Sequence, residues 1–383
     1  MTRRDLLVVA GEASGDLHAA RLMRELSMRR PELGFFGLGS AQMREAGAEL
    51  VADATEISVV GIVEALSVLG RARQILARLV AEAERRRPAA ALLVDFPDFN
   101  LRLARRLHRM GIPVVYYVSP QIWAWRPWRV RSIVESVDRM LVLFPFEVPF
   151  YARHGMRAVH VGHPLVDEVP VLAQAWDAVP AGRLPERFEI ALLPGSRRSE
   201  IASLLPLQLA ALERIAGAIP VRATVVRAPS IAPELLAPQL ERFRGCEVAV
   251  AEDSRFEAIA GAHLALCASG TATLETGLLG TPLVMLYRLA GLTWRLAQLL
   301  VRVPYASLVN LVLERPAVPE LVQRAADPGR VAAEALALLA SRAAIDRMRA
   351  DLAELRPRLG RPGASGRAAD EVLGLLDERE RAA

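Results

Sequence analysis

The sequence predicts an α/β protein with two Rossmann-like domains that face each other across a cleft, followed by a helical C-terminal segment. In each half, short apolar runs alternate with longer amphipathic ones, which is typical of a parallel sheet covered by helices. A proline-rich break covers residues 164–185, which we interpret as a linker with one short helical piece. The 383 residues exceed one ordinary core and suit two domains. We expect domains at 1–167 and 168–355, with a C-terminal helix in 356–383.

The first half supplies the first sheet. We predict its strands at 6–10, 35–38, 91–95, 114–118, 140–144 and 158–161. The helices between them include 17–28, 101–110 and 127–137. Strands that alternate with helices in this way indicate βαβ units.

The second half repeats the alternation. Its predicted strands are 190–193, 223–226, 248–251, 264–267 and 283–286, and its helices include 200–215, 256–260 and 272–278. After Val331 the pattern is helical, with a Gly/Pro-rich interruption at 356–366. Two such domains create a cleft at the carboxyl ends of both sheets, where open α/β sheets bind ligands.

The composition excludes several classes of protein. A hydrophobic fraction of 52% and a mean hydropathy of +0.24 exclude a disordered chain. All 48 basic residues are arginines, so a Schiff-base lysine and a Walker A lysine are excluded. The net charge of +5 favours an anionic partner. Because the arginines are spread along the chain without a recognised module, we expect no nucleic-acid partner.

The sequence also predicts a cytoplasmic protein without a metal or cofactor. The longest nearly apolar run, 57–70, is too short to span a bilayer and contains Glu64. Arg3 and Arg4 precede only a short apolar stretch, unlike a signal peptide. The patterns Asp-x-Asp, His-Glu-x-x-His and Cys-x-x-Cys do not occur in the sequence, so no metal site is expected.

Small and acidic residues follow the first predicted strand, at 11–16. Small residues let the backbone approach a ligand, and the start of a helix favours negative charge. Glu12 lies too early to cap the helix, which favours a functional role. Ser14 and Asp16 have two open interpretations, a functional role or a helix cap.

A second cluster, at 95–100, begins at the tip of a buried strand. A carboxylate placed like Asp95 can have its pKa raised and act as a general base. Asp98 and Asn100 are better explained as caps of the helix predicted from Leu101. The sequence alone leaves open whether Asp95 or Asp98 is the base.

Two tryptophans, Trp123 and Trp125, lie in the segment 119–126. They can bind a sugar ring or an acyl chain, or they can pack within the loop against its own sheet. The sequence favours neither interpretation.

Two loops of the second half have the character of phosphate sites. In 193–200, Gly195 and Ser196 allow close backbone approach, and Arg197 can hold phosphate oxygens bidentately. In 269–275, hydroxyls and amides can meet a phosphate, and Glu275 can hold ribose hydroxyls. Capping of a helix start is the alternative for each loop, but two such loops favour a nucleotide. Without a metal, Arg197 and helix dipoles would stabilise a leaving diphosphate.

In this order, the motifs resemble those of the lipid-A-disaccharide synthase family, inverting glycosyltransferases of the GT-B fold. The matching pieces are GEASGD (11–16), DFPDFN (95–100), YVSPQIWAWR (117–126), FPFE (144–147), VGHPLVD (161–167), LPGSR (193–197), SGTATLE (269–275), YASLVN (305–310) and VPEL (318–321). SGTATLE is shared with other sugar-nucleotide enzymes, whereas GEASGD together with SPQIWAWR is specific. The chain departs from the family at Val309, where a proline is expected beside Asn310.

The resemblance implies that UDP-2,3-diacylglucosamine glycosylates 2,3-diacylglucosamine 1-phosphate (lipid X), which gives a β-1,6 disaccharide 1-phosphate and UDP without a cofactor. Asp95 would deprotonate the acceptor hydroxyl, and Glu12 and Ser14 would line the same site. The UDP-binding residues that it implies are Ser196, Arg197, Ser269, Gly270, Thr271, Glu275 and Asn310. The residues that would contact the acceptor and its acyl chains are Asp98, Trp123 and Trp125. The last helix would return to the first domain, and the family suggests a homodimer with exchanged C-terminal parts.

Acylated substrates suggest a place at the cytoplasmic surface of the inner membrane. Along 62–80, apolar residues fall on one helical face, and arginines fall on the opposite one. Such a segment can lie on an anionic membrane, but an ordinary helix packed on the sheet has the same pattern.

Two other classes share part of these motifs. Another GT-B enzyme that uses UDP-GlcNAc, such as an epimerase or a transferase for a different lipid carrier, would have the SGTATLE loop without GEASGD and SPQIWAWR. A non-catalytic protein that binds a nucleotide-sugar or a membrane would not need Asp95 at a strand tip.

Overall fold

A computed structural model describes residues 4–57, 65–125, 127–289 and 303–382. The chain divides into two compact units, Met1–Pro164 with Gly360–Ala383, and Leu165–Leu359. Each unit contains one parallel sheet flanked by helices. The predicted fold class, two α/β domains with a helical C-terminal segment, is therefore confirmed.

The sheet of the first unit has seven strands in the order β3-β2-β1-β4-β5-β6-β7. They are β1 (Arg4–Ala10), β2 (Leu33–Gly39), β3 (Ala48–Asp53), β4 (Ala90–Val94), β5 (Val114–Tyr117), β6 (Arg139–Val142) and β7 (Ala158–His160). β1 and β4 are parallel neighbours, with Ala10 opposite Val94. The loops after these two strands therefore begin side by side where the strand order reverses, which is the usual ligand site of such sheets.

Helices cover both faces of this sheet. They are α1 (Ala13–Arg29), α2 (Ala41–Glu45), α3 (Ala65–Arg86), α4 (Pro97–Arg109), α5 (Ile122–Trp125), α6 (Val130–Val134) and α7 (Glu147–Ala152), with 3₁₀ turns at Ala54–Ile57 and Pro127–Arg129. Every residue of β4 is buried, which explains why the strand is continuously apolar.

The second unit has a six-stranded sheet in the order β10-β9-β8-β11-β12-β13. The strands are β8 (Phe188–Leu193), β9 (Val221–Val226), β10 (Val248–Ala251), β11 (Leu264–Ala268), β12 (Leu283–Tyr287) and β13 (Glu320–Val322). Leu193 of β8 lies opposite Cys267 of β11. The strand order again reverses between these two strands, so their loops form the equivalent position of this sheet.

The remaining helices follow the same order along the chain. They are α8 (Leu165–Glu168), α9 (Arg198–Ala216), α10 (Ala237–Leu240), α11 (Arg255–Ala260), α12 (Thr271–Leu278), α13 (Leu308–Leu313), α14 (Pro328–Leu339), α15 (Arg342–Ala353), α16 (Leu355–Leu359) and α17 (Ala364–Ala382), with 3₁₀ turns at Ala175–Ala178, Pro233–Leu235 and Gln323–Ala325. α17 belongs to the first unit, where Asp370 and Asp377 pair with Arg29 and Arg30 at the end of α1.

Several element predictions need correction. The strands β3 and β13 were not predicted, because β3 is only partly buried and β13 has three residues. The helix expected at 127–137 is a 3₁₀ turn followed by α6, which ends at Val134. The proline-rich segment 164–185, expected to be a linker, packs into the second unit. Its Trp176 is 1% exposed and donates a hydrogen bond from Nε1 to the carbonyl oxygen of His263 at 2.8 Å.

The structure describes the packing of part of the amphipathic segment 62–80, and the attachment of this segment to a membrane stays a prediction. Residues 62–64 lie outside the described residues, and no described helix is long and apolar enough to cross a membrane. On α3, Leu76 is 7% exposed within the hydrophobic core, and Val80 packs against that core. The apolar face of this part of the segment therefore covers the sheet, and the alternative of an ordinary helix packed on the sheet is confirmed there.

Candidate active site

The loops after β1 and β4 interlock through Gly11 and Phe96. A Cβ atom at Gly11 would overlap the Phe96 ring, so the close contact requires glycine there. Asp95 and Phe96 both have left-handed backbone conformations, with φ of 47° and 49°. Such conformations are strained for residues with side chains and persist only where the surroundings hold them.

Two polar side chains hold the backbone of Asp95. The amide Nδ2 of Asn100 donates to the carbonyl oxygens of Asp95 at 2.8 Å and of Val94 at 3.2 Å. The hydroxyl of Tyr116 donates to the Asp95 carbonyl at 2.6 Å. These bonds offset the strain and fix the direction in which the Asp95 side chain leaves the sheet.

The environment of Asp95 suits a general base. Burial and, to a smaller extent, the negative charge of Glu12 together raise the pKa of its carboxyl to about 6, against a smaller opposing effect of the Phe96 amide. A base with a pKa close to the working pH combines a sufficient deprotonated fraction with good proton affinity. The geometry therefore favours Asp95 over Asp98.

The structure changes the interpretation of Asp98 and Asn100 as helix caps. α4 begins at Pro97, so Asp98 lies in its first turn and Asn100 inside the helix, and neither caps it. Asp98 is largely exposed and accepts a hydrogen bond from Arg129 at 2.6 Å. Asn100 is buried and supports the loop of Asp95 instead.

The interpretation of residues 11–16 changes in a similar way. Glu12 occupies the N-cap position of α1 but makes no capping bond with its side chain, and Ser14 is exposed in the first turn. The carboxylate of Asp16 accepts hydrogen bonds from the backbone of Ser40 at 2.6 Å and Gln42 at 3.0 Å. Asp16 therefore caps α2 rather than its own helix, and only Glu12 and Ser14 stay candidates for the site.

A buried carboxylate that the sequence prediction missed lies under the loop after β5. Glu147 is 2% exposed and accepts hydrogen bonds from Trp123 Nε1 and from the backbone N–H of Phe144, each at 3.1 Å. The Ser119 hydroxyl lies beside it and shares a 2.8 Å hydrogen bond with Tyr151. Burial raises the pKa of Glu147 to about 7. An acidic residue among the aromatics of FPFE was the available signal in the sequence.

This network shows where Trp123 packs. Its indole donates to Glu147, and its ring packs edge-on against Phe146 with centroids 4.8 Å apart. Trp123 thus packs against the loop after β6, and its contact with an acceptor stays a prediction. The side chain of Trp125 lies outside the described part of the structure.

In the second unit, the loop after β8 is organised by Glu200. Its carboxylate accepts hydrogen bonds from the backbone amides of Ser196 at 2.8 Å and Arg197 at 3.2 Å, and from the Arg197 guanidinium at 3.0 Å. Gly195 has a φ of 111°, and a Cβ there would overlap Glu200. The backbone amides of Ser196 and Arg197 and the Arg197 guanidinium all donate to Glu200 here, while the Arg197 side chain is still 77% exposed at the surface of the loop.

The loop after β11 leaves space for a ligand. Gly270 is the N-cap of α12 with a φ of 133°, and a Cβ there would meet no atom within 4 Å. Thr271 is exposed at the first position of the helix. Glu275 pairs with Arg255 at 3.4 Å, and burial raises the pKa of its carboxyl. An anion at Gly270 and Thr271 would meet the positive end of the helix dipole.

Asn310 has a supporting position in the structure, and its predicted contact with the ligand stays a prediction. It is buried, with Nδ2 donating to Val318 O at 2.9 Å and to Glu320 Oε1 at 2.8 Å, while Oδ1 accepts from the Val318 N–H at 2.9 Å. Val309, in place of the expected proline, donates its N–H to the N-cap Ser307 at 3.2 Å. The departure at Val309 therefore preserves the start of α13.

No group of three or more His, Cys, Asp or Glu side chains suited to a metal ion occurs among the described residues. The candidate groups that remain are a buried base in the first unit, and an arginine and an open helix start in the second.

Two parallel sheets, each with polar loops where its strand order reverses, have the architecture of the GT-B fold. Among solved structures, MurG of Acinetobacter baumannii shares this fold with a TM-score of 0.63 at 12% identity, over 97% of this chain and 99% of that one. MnaA of S. aureus, in a co-structure with UDP, gives a TM-score of 0.64 at 12% identity, over 98% and 97%.

The sequence comparisons identify the family. The profile described as lipid-A-disaccharide synthetase matches residues 6–369. The lipid-A-disaccharide synthase of Anaeromyxobacter dehalogenans strain 2CP-C is 47% identical over 372 residues, and that of Myxococcus xanthus strain DK1622 is 45% identical over 379 residues, each covering 97% of both chains. The chain belongs to the lipid-A-disaccharide synthase family. It is a glycosyltransferase with a role in lipid A disaccharide synthesis.

Proposed function

We propose that the protein transfers a diacylglucosaminyl group from UDP-2,3-diacylglucosamine to the 6-hydroxyl of 2,3-diacylglucosamine 1-phosphate. The products are a β-1,6-linked disaccharide 1-phosphate and UDP. Family membership supports the disaccharide role, and the choice of these two substrates is the part that goes beyond it.

In the proposed reaction, Asp95 accepts the proton of the acceptor hydroxyl as its oxygen attacks the anomeric carbon. The bond between that carbon and the diphosphate oxygen breaks, and UDP leaves with the electron pair. The anomeric carbon acquires oxocarbenium character in the transition state, and its configuration inverts. The negative charge that develops on UDP is stabilised by Arg197 and by the start of α12.

The observation that carries this proposal is the state of Asp95. A strained loop holds it at the end of β4, and burial and Glu12 raise the pKa of its carboxyl to about 6. A protein that only binds a nucleotide-sugar has no use for a base prepared in this way. The S. aureus MnaA co-structure supports UDP as the nucleotide by analogy of fold.

The direct test is an incubation of purified protein with both proposed substrates in detergent, with the product identified by mass spectrometry. We expect a disaccharide 1-phosphate and an equal amount of UDP. As a control, UDP-GlcNAc replaces the acylated donor and is expected to react poorly. Epimerisation of UDP-GlcNAc, or UDP binding without any transfer, would contradict the proposal.

We also propose the homodimer with exchanged C-terminal parts that the family resemblance implies. In such a dimer, the contacts of α17 with α1, such as the ion pair between Arg29 and Asp370, would form between two copies of the chain. Light scattering of the purified protein tests this proposal, which a monomer at micromolar concentration would contradict.

A further inference from the structure

None of the steps proposed above uses a small pocket beside the loop of Asp95. Its volume is about 170 Å³, and it lies between the first turns of α4 and the 3₁₀ turn that leads into α6. Its polar lining, among the described residues, consists of Asp98, Arg102, Arg105, Arg129 and Ser132. The pocket, called the α4–α6 pocket below, is therefore polar, and arginine is its predominant polar residue.

The charges of the α4–α6 pocket suit an anion with two charges. The described residues that line it carry three guanidinium groups and one carboxylate, so their net charge is positive by two. Arg129 donates to Asp98 at 2.6 Å, while Arg102 and Arg105 have no carboxylate partner among the described residues. A phosphate monoester carries about −1.5 to −2 charge at pH 7, and arginine can hold its oxygens bidentately. The net charge of the pocket therefore matches a phosphate monoester.

The hydroxyl of Ser132 gives a second, independent indication of a ligand. Its Oγ atom is buried and has no hydrogen-bond partner among the described residues. Buried polar atoms in proteins almost always have a partner, so an orphaned one needs an explanation. A hydroxyl can donate one hydrogen bond and rotates to suit its acceptor. A phosphate oxygen in the pocket would therefore satisfy a group that the described residues leave unsatisfied.

The α4–α6 pocket is also close to the proposed base. Pro97 and Asp98 line it, and Pro97 follows Asp95 by two residues, so the Cα atoms of these two are at most about 7 Å apart. The Tyr116 hydroxyl, which donates to the backbone of this loop, lies close enough to Asp98 and Arg129 to interact with their charges. In the proposed acceptor, the carbon that carries the reacting hydroxymethyl group and the carbon that carries the 1-phosphate are both bonded to the ring oxygen. One sugar ring can therefore present its hydroxyl to the base and its phosphate to the pocket.

We propose that the α4–α6 pocket binds the 1-phosphate of the acceptor, and that Arg129 leaves Asp98 to hold the phosphate oxygens. Arg102 and Arg105 supply the remaining positive charge, and Ser132 supplies a neutral donor. The donor diphosphate is proposed to bind in the second unit, so the acceptor provides the phosphate for the first. The inference rests on the proposed function, because it assigns a place to one group of the proposed acceptor. An acceptor without the phosphate would leave this charge unmatched, so the pocket determines acceptor specificity.

The test compares 2,3-diacylglucosamine 1-phosphate with its dephosphorylated form, 2,3-diacylglucosamine, as acceptors in detergent with the same donor. The measured quantity is the ratio of the two kcat/KM values, in which a general loss of activity cancels. The pocket variant is Arg129→Gln, and Arg129→Lys keeps the charge without the bidentate fork. Arg109→Gln is the matched control, since Arg109 is exposed on α4 and does not line this pocket. Thermal unfolding checks that the three variants fold.

We expect the wild type to prefer the phosphorylated acceptor about a hundredfold or more in kcat/KM, and Arg129→Gln to lower that ratio about tenfold. Arg129→Lys should lower the ratio less, and Arg109→Gln should leave it at the wild-type value. A wild-type ratio in Arg129→Gln, or an equal decrease in Arg109→Gln, would overturn the proposal. A wild type that does not distinguish the two acceptors would also overturn it.

A binding measurement separates this proposal from the proposed function. Saturation-transfer NMR detects binding of glucosamine 1-phosphate, with saturating UDP to occupy the proposed donor site and with glucosamine or inorganic phosphate as competitor. We expect the wild type to bind glucosamine 1-phosphate about tenfold more tightly than Arg129→Gln does, and both competitors to be weak. Equally strong competition by inorganic phosphate would indicate a site for free phosphate and overturn the proposal. A wild type that binds as expected but forms no disaccharide would count against the proposed function alone.

Discussion

The indole Nε1 of Trp123 donates a hydrogen bond to Glu147 Oε1 at 3.1 Å and so ties the loop after β5 to a buried carboxyl. The second oxygen of Glu147 accepts from the backbone of Phe144, so one side chain joins two adjacent loops of the first unit. The proposed base Asp95 ends the neighbouring strand β4. The buried network therefore supports the carboxyl end of the sheet, where the reaction is proposed to occur.

Glu147→Gln should change how stability depends on pH. Burial raises the pKa of this carboxyl to about 7 in the folded protein, so the folded state favours the protonated form. Its stabilising contribution is present below the unfolded-state pKa and is lost as pH rises towards 7. Between pH 5 and 7.5, the free energy of unfolding should fall in wild type. In the variant this fall should be smaller by about 1–3 kcal/mol. Urea unfolding at both pH values measures the fall, and the exposed Glu84→Gln serves as the control. Equal falls in wild type and Glu147→Gln would contradict the prediction.

Glu12→Gln should shift the pH profile of catalysis to the acid side. The negative charge of Glu12 helps to raise the pKa of Asp95, and the base is active only when deprotonated. Wild-type kcat/KM should therefore rise through about pH 6, and the variant should rise at a pH about 0.5–1 unit lower. The exposed Glu45→Gln serves as a control that leaves the profile in place. A profile that stays in place for Glu12→Gln, or moves to higher pH, would show that Glu12 does not act on Asp95.

Gly11→Ala should impair catalysis through the loop of Asp95. The added methyl group would overlap the Phe96 ring, and moving that ring disturbs the left-handed turn that positions Asp95. We expect kcat to fall about tenfold or more and stability to fall by about 1–3 kcal/mol. Gly374→Ala in α17, where a Cβ meets nothing within 4 Å, is the matched control. Wild-type kcat in Gly11→Ala would mean that this contact does not position the base.

Arg197→Ala should weaken donor binding, because its guanidinium lies exposed in the β8 loop, where it can exchange Glu200 for a diphosphate. We expect KM for the donor to rise about tenfold or more, and Arg197→Lys to restore only part of the loss because it lacks the bidentate fork. Steady-state kinetics in EDTA measures both effects and the proposed independence of metal. Loss of wild-type activity in EDTA would show that a metal, and not Arg197, meets the charge of the leaving group.

Local sequence patterns predicted the sheets well. Buried parallel strands are continuously apolar, so the central strands were predicted within a few residues of their observed bounds. The edge strand β10 was predicted at its observed bounds because its sequence is also continuously apolar. β3 and β13 escaped prediction because they are partly exposed edge strands with a weak apolar signal. The start of α4 at Pro97 was also missed, since it depends on the left-handed Phe96, whose conformation follows from its packing on Gly11.

The polar side chains were harder to predict because their partners are distant in sequence. Asp16 caps α2 through Ser40, and Asn310 is held by Glu320, contacts that exist only after the chain has folded. Asp95 was recognisable because its position at the tip of an apolar strand is itself a local pattern. Glu147 was not, since its burial depends on the aromatic side chains that cover it.

Asp95 is the proposed base, and the deciding measurement is disaccharide formation by wild type, Asp95→Asn and Asp98→Asn. Asparagine keeps the size of each side chain but cannot accept the proton. We expect Asp95→Asn to lose about a hundredfold or more in kcat, with UDP binding retained, and Asp98→Asn to lose no more than a few fold. An active Asp95→Asn enzyme together with an inactive Asp98→Asn enzyme would contradict the central claim and transfer the role of base to Asp98.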